Sequence, residues 1–114
     1  MRPLAATVQV ELLYFDGCPG YESLLPRLER LVAEHAPEVT LELRAIESLE
    51  AADHHRFLGS PSVRVDGRDV EPDADAREDF GLKCRLYSTP AGPSRVPRPE
   101  WIRDALTQVG VGRP

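Results

Sequence analysis

Between Thr7 and Phe15 the chain alternates, setting Val8, Val10 and Leu12 against Gln9 and Glu11, and then turns apolar on both faces at Leu13, Tyr14 and Phe15. A two-residue period is that of a strand, and its loss at the end places the strand in a sheet covered on both sides. From Pro19 to about His35 the period changes: Leu24, Leu25, Leu28, Leu31 and Val32 recur at helical spacing and make one apolar stripe. Pro19 suits the first helical position, where no N–H is needed, whereas Pro26 lies inside the pattern and predicts a kink. Ala36-Pro37 ends that helix. Val39, Leu41, Leu43 and Ala45 then alternate through Ile46 and predict a second strand, which a strand-helix-strand crossover makes parallel to the first.

Ser48 is placed to cap a short helix running to Leu58, with Gly59 as its stop. The segment SVRVDGRDVE (62 to 71) reads as two short strands around Asp66-Gly67, the pair that a two-residue type I′ turn prefers, so these strands are expected to be antiparallel. Residues 72 to 81 are acidic and short of large apolar side chains, which predicts a loop. KCRLY (83 to 87) reads as a short strand or extended segment, and residues 88 to 98, with prolines at 90, 93 and 97, read as a second loop. Pro99 opens a final helix expected to bury Trp101, Ile102, Ala105, Leu106 and Val109.

The resulting order, β-α-β-α-β-β-α with a parallel pair followed by a hairpin, predicts an α/β sandwich with helices on both faces of a mixed sheet. A chain of 114 residues fits one domain with a core that needs no disulfide or metal staple. No stretch approaches the roughly 18 to 20 apolar residues of a membrane span, and no charged N-terminal region leads into a long apolar run. The expectation is a cytoplasmic protein without a membrane partner. A net charge of −5 lacks the electrostatic footprint of a nucleic-acid binder, so no nucleic acid is expected either. Acids gather between Asp66 and Asp79, and bases outnumber acids after Lys83. They are expected to form a solvated loop and a solvated tail that can pair with each other.

The chain has two cysteines, too few for a disulfide framework in a reducing compartment, so each is a reactive thiol, a metal ligand or a core residue. Cys18 stands between the end of the first strand and the mouth of the first helix, where free N–H groups converge and stabilise a thiolate. Thiolate is both the nucleophile of disulfide exchange and a ligand for soft metals. Gly17 and Gly20 beside it suggest a tight, accessible turn, and the alternative is a small buried cysteine. Tyr21 either offers its hydroxyl to the thiolate or covers the sheet edge. His54-His55 has no partner at ligand spacing and reads as a solvated face.

FDGCP at the end of the first strand, Pro26 eight residues after the cysteine, and GSPSV before the hairpin together resemble the thioredoxin-like superfamily. The resemblance covers about residues 7 to 71 and the final helix (99 to 110), with 72 to 98 as an added segment. The fuller pattern, with GLKCRLY, is similar to small bacterial thioredoxin-family proteins, a subgroup sometimes labelled alkylmercury lyase. It implies a thioredoxin-like three-layer sandwich with Cys18 as attacking thiol and a cis Pro61 facing it. Ser60 would present backbone groups to an extended peptide or thiol partner, and Pro19 and Tyr21 would flank the site. The implied activity is thiol-disulfide exchange with protein or low-molecular-weight thiols and no cofactor. Two departures stand out. Cys18-Pro19-Gly20-Tyr21 has a tyrosine where thioredoxins carry a second cysteine, and Glu71-Pro72 replaces the Gly-Gly pair of glutaredoxins. Cys84 is then the candidate resolving thiol if the added segment returns to Cys18, or a residue buried in an edge strand if it does not. The alternative functions are capture of a soft metal ion or organomercurial by Cys18 and Cys84, and an interaction module without redox work.

Overall fold

The structure, a computed structural model, describes residues 9 to 111, with side chains to Gln108; Thr7, Val8 and the side chain of Val109 lie outside the described residues. Strand β1 (Gln9–Tyr14) leads into helix α1 (Pro19–His35), which returns the chain to β2 (Thr40–Ala45). A short helix α2 (Leu49–His54) precedes the hairpin β3 (Ser62–Val65) and β4 (Arg68–Asp69). A single 3₁₀ turn (Ala74–Ala76), a second hairpin of β5 (Tyr87–Thr89) and β6 (Gly92–Ser94), and helix α3 (Pro99–Val111) follow. The protein is therefore mixed α/β, with one mixed four-stranded sheet and three helices among the described residues. None of these helices is long and apolar enough to cross a membrane.

The sheet order is β2-β1-β3-β4, with β1 parallel to β2 and antiparallel to β3. Val10 and Leu12 of β1 and Val63 and Val65 of β3 face Leu24, Leu28 and Val32 of α1 and Ile102 and Leu106 of α3. Leu13 turns the other way and packs with Ile46, Ala52 and Phe57 beneath α2. This double use of β1 is what the apolar run at its end predicts. α1 continues through Pro26 as one element, with that proline on the exposed side. The Asp66-Gly67 turn has positive φ at both residues (52° and 83°), as a type I′ turn requires.

Two predicted boundaries differ. α2 stops at His54 and does not reach Leu58, because Arg56 adopts a left-handed conformation (φ 54°) and the Phe57 and Arg56 N–H groups donate back to Ala52 O and Asp53 O. That is a Schellman stop closed by an arginine, with Phe57 as its apolar anchor. Residues 88 to 98 are not all loop: Pro90 and Ala91 turn the β5–β6 hairpin, in which Thr89 pairs with Gly92 and Ser88 with Pro93. Pro90 takes the second position of a turn, where a fixed φ is favourable, and Pro93 sits in a two-stranded ribbon.

Candidate functional site

β1 ends against a turn that only a flexible backbone can make: Gly17 has φ 84°, and Cys18 follows as the N-cap of α1 (φ −78°, ψ 116°). Pro19 fills the first helical position, and the Glu22 N–H donates to Cys18 O at 3.3 Å. The Cys18 side chain caps no amide, and the residue is 1% exposed. The turn is accessible at Asp16 and Gly17, as the flanking glycines suggest, but the cysteine itself is closed off. One reason is the approach of Gly20, where an added Cβ would meet Arg95 O at 2.8 Å and Pro61 Cδ at 3.0 Å. The missing side chain lets the chain pack directly over the cysteine turn.

Pro61 belongs to the segment facing this turn, and the Ser60–Pro61 bond is cis. Ser60 Oγ accepts the Phe15 N–H at 3.3 Å, which ties this segment to the end of β1. Ser62 Oγ–H donates to Gly59 O, and the buried Tyr87 O–H donates to Pro61 O, both at 2.6 Å. Burial pushes the Tyr87 phenol well above its ordinary value, so it remains a donor. Tyr21 lies face to face with Tyr14, ring centroids 3.9 Å apart and planes 8° apart, and so covers the sheet. Its phenol is raised by burial and by the Tyr14 neighbour.

Cys18, Pro19, Tyr21, Ser60 and Pro61 thus meet at one end of the sheet. Ser60 departs from expectation: its N–H donates to Lys83 O at 2.8 Å and its C=O accepts the Arg85 N–H at 2.9 Å, so its backbone groups are filled by the chain itself. These bonds form a parallel bridge between Ser60 and Cys84. The added segment therefore returns to the site, and Cys84 reaches it through its backbone. Its side chain is exposed and not buried in an edge strand, and both cysteines are free thiols.

Residues 84 to 87 alternate strictly, but Arg85 and Tyr87 point inward while Cys84 and Leu86 point out, Leu86 being 60% exposed. This inversion follows from what lies beneath. The Arg85 guanidinium, its side chain 1% exposed, grips Asp69 through both oxygens at 2.7 and 3.0 Å, Glu71 Oε1 at 2.7 Å and Ser62 Oγ at 2.8 Å. It also lies over the Tyr87 ring at 4.5 Å. Burial opposes its charge, but the Asp69 hydrogen bond and the surrounding negative charge reverse that and hold it above the ordinary arginine value. The pairing expected between the acidic loop and the basic tail is found here, but around a buried guanidinium and not in solvent. The signal for their pairing is the i, i+2 spacing of Asp69 and Glu71, which sets both carboxylates on one side of the extended chain.

No group of three or more His, Cys, Asp or Glu side chains among the described residues is arranged to hold a metal ion. No family model, curated protein or solved structure matches this chain.

The contact at Gly20 makes a stability prediction. Gly20→Ala is expected to lower stability by about 1–3 kcal/mol, because one neighbour is a backbone carbonyl that cannot turn away. The better helix propensity of alanine offsets at most about 1 kcal/mol of this. Thermal unfolding of the variant reads the balance, and a midpoint equal to or above wild type would show that the approach relaxes freely.

Proposed function

We propose that the protein is thioredoxin-like and carries out thiol-disulfide exchange, with Cys18 as the attacking thiol. The observation that supports this best is the placement of Cys18 at the N-cap of α1 beside the Ser60-Pro61 turn. The first amides of α1 have no acceptor within the helix, and Cys18 stands at that end of the helix dipole. In the first step the Cys18 thiolate attacks a disulfide R–S–S–R, forming Cys18–S–S–R and releasing RS⁻. In the second, the Cys84 thiolate displaces the remaining R–S⁻ and leaves a Cys18–Cys84 disulfide. The substrate gains two electrons and the two protein thiols lose them; two equivalents of a low-molecular-weight thiol then restore both cysteines and leave as their own disulfide. Because Cys18 is 1% exposed, the first step needs a local opening at this end of the sheet.

A second reading has its own support. The buried Cys18 and the occupied Ser60 backbone fit an interaction module that keeps this fold without redox turnover. One experiment separates the two: incubation of native protein with oxidised glutathione, with peptide mass spectrometry to locate the adducts. Exchange chemistry predicts a Cys18 mixed disulfide in the Cys84→Ser variant and a Cys18–Cys84 disulfide in wild type. An adduct on Cys84 alone, with Cys18 modified only after denaturant is added, would remove the redox reading and leave the module.

A further inference from the structure

β2 is the outer strand on its side of the sheet and, among the described residues, pairs with β1 alone. Every residue of it except Leu41 is exposed, and Leu43 is 47% open. The Ile46 N–H, one residue past the strand, donates to Tyr14 O of β1 at 2.7 Å. Strand alternation then turns the backbone groups of Glu42 and Arg44 toward β1 as well, and those of Leu41, Leu43 and Ala45 toward the open edge. Neither proline nor bulge interrupts these six residues, so the edge is a template for pairing. The opposite edge strand, β4, is only two residues long.

The charges on β2 select what it can pair with. Antiparallel pairing of this edge with its own copy, about a two-fold axis at Leu43, sets Leu43 against Leu43 and Leu41 against Ala45. Each of these is a hydrogen-bonded pair in which both N–H···O bonds are exchanged. Between them Glu42 of one copy faces Arg44 of the other, in the close register where Cα atoms lie about 4.5 Å apart and opposite charges attract. The neighbouring registers that keep the same outward amides are centred on position 42 or 44. They set Glu42 against Glu42 or Arg44 against Arg44, and like charges directly opposite are destabilising. Arg44 is already held at 3.0 Å by Glu11 of β1, which fixes its guanidinium on this face.

The other face of the strand adds apolar area. Leu41 and Leu43 border a groove of about 290 Å³ shared with Leu25, Val32 and Val39. A two-fold axis normal to the sheet keeps both α1 helices on one side, so the two grooves meet under the Leu43 pair. We propose that the protein forms a homodimer through antiparallel β2–β2 pairing centred on Leu43, giving one continuous sheet across both copies.

Sedimentation equilibrium of the full chain over a concentration series tests this, with amide hydrogen exchange by NMR. The expected result is twice the chain mass, with the Leu41, Leu43 and Ala45 amides protected in the dimer and exchanging freely on dilution. Leu43→Pro removes an amide that donates nothing to β1, so it is expected to abolish the dimer and keep a native circular dichroism spectrum. Glu42→Arg, which sets two cations against each other, is expected to raise the dissociation constant about tenfold and decides the matter if the proline variant fails to fold. A wild type that stays monomeric would overturn the proposal. So would a dimer unaffected by a folded Leu43→Pro variant, or one indifferent to Glu42→Arg in low salt.

Discussion

Arg85→Met is expected to destabilise the folded protein by about 3 kcal/mol, the low end of the range for deleting one partner of a buried ion pair. The side chain is enclosed, and its removal leaves Asp69 buried without its cation. Three compensations hold the loss to the low end. The Glu71 N–H still donates to Asp69 Oδ1 at 2.9 Å, and Glu71 keeps Arg77 at 3.2 Å. The Arg85 Nε has no hydrogen-bond partner among the described residues, so deleting the guanidinium also removes one unsatisfied buried donor. Urea denaturation reads the difference. The double variant Arg85→Met with Asp69→Leu is expected to recover most of it, since replacing both charges removes the uncompensated one. A single-variant loss below about 1 kcal/mol, the scale of an exposed pair, would mean that water reaches this cluster.

Phe57→Ala is expected to cost about 3–5 kcal/mol. Phe57 is fully buried and supplies the largest side chain of the small cluster with Leu13, Ile46 and Ala52. With few neighbours on that face, the cavity cannot be filled by collapse from a second layer. The residue also works through its backbone: its N–H closes the stop of α2 and its C=O accepts the Gly81 N–H at 2.9 Å, holding the added segment. Phe57→Leu keeps apolar volume and the same backbone bonds, so its loss is expected to stay below about 1.5 kcal/mol. Equal losses for the two variants, measured in the same urea titration, would show that ring volume is not what the site requires.

The parts of this fold that could be read in the sequence are those where a period runs long enough to be seen. Val10 and Leu12 against Leu13 announced a strand with a core on each side, and the leucines of α1 announced its buried stripe. Asp66-Gly67 named its own turn, since few residue pairs accept two positive φ angles. The cysteine turn was legible for the same reason, through Gly17. The added segment was not. Hydropathy alone places Cys84 and Leu86 inside and Arg85 outside, and the structure has the reverse, because two carboxylates sixteen and fourteen residues away decide the matter. The end of α2 was misplaced because glycine is the usual helix stop, and here Arg56 takes that conformation. Gly59 serves a different need, a close approach in which an added Cβ would lie 3.0 Å from Lys83 O. Long-range pairing of this kind leaves no local pattern to read.

The bridge between Ser60 and Cys84 has a consequence for competition. An outside peptide that would pair with Ser60 meets a rival carried on the same chain, tethered through residues 72 to 82. A tethered rival acts at an effective concentration on the order of millimolar, so a free peptide at about micromolar concentration needs roughly a thousandfold better intrinsic pairing to share the site equally. Occupancy by self is thus the ground condition of this edge, and a partner that takes it must bring contacts that residues 83 to 85 do not make.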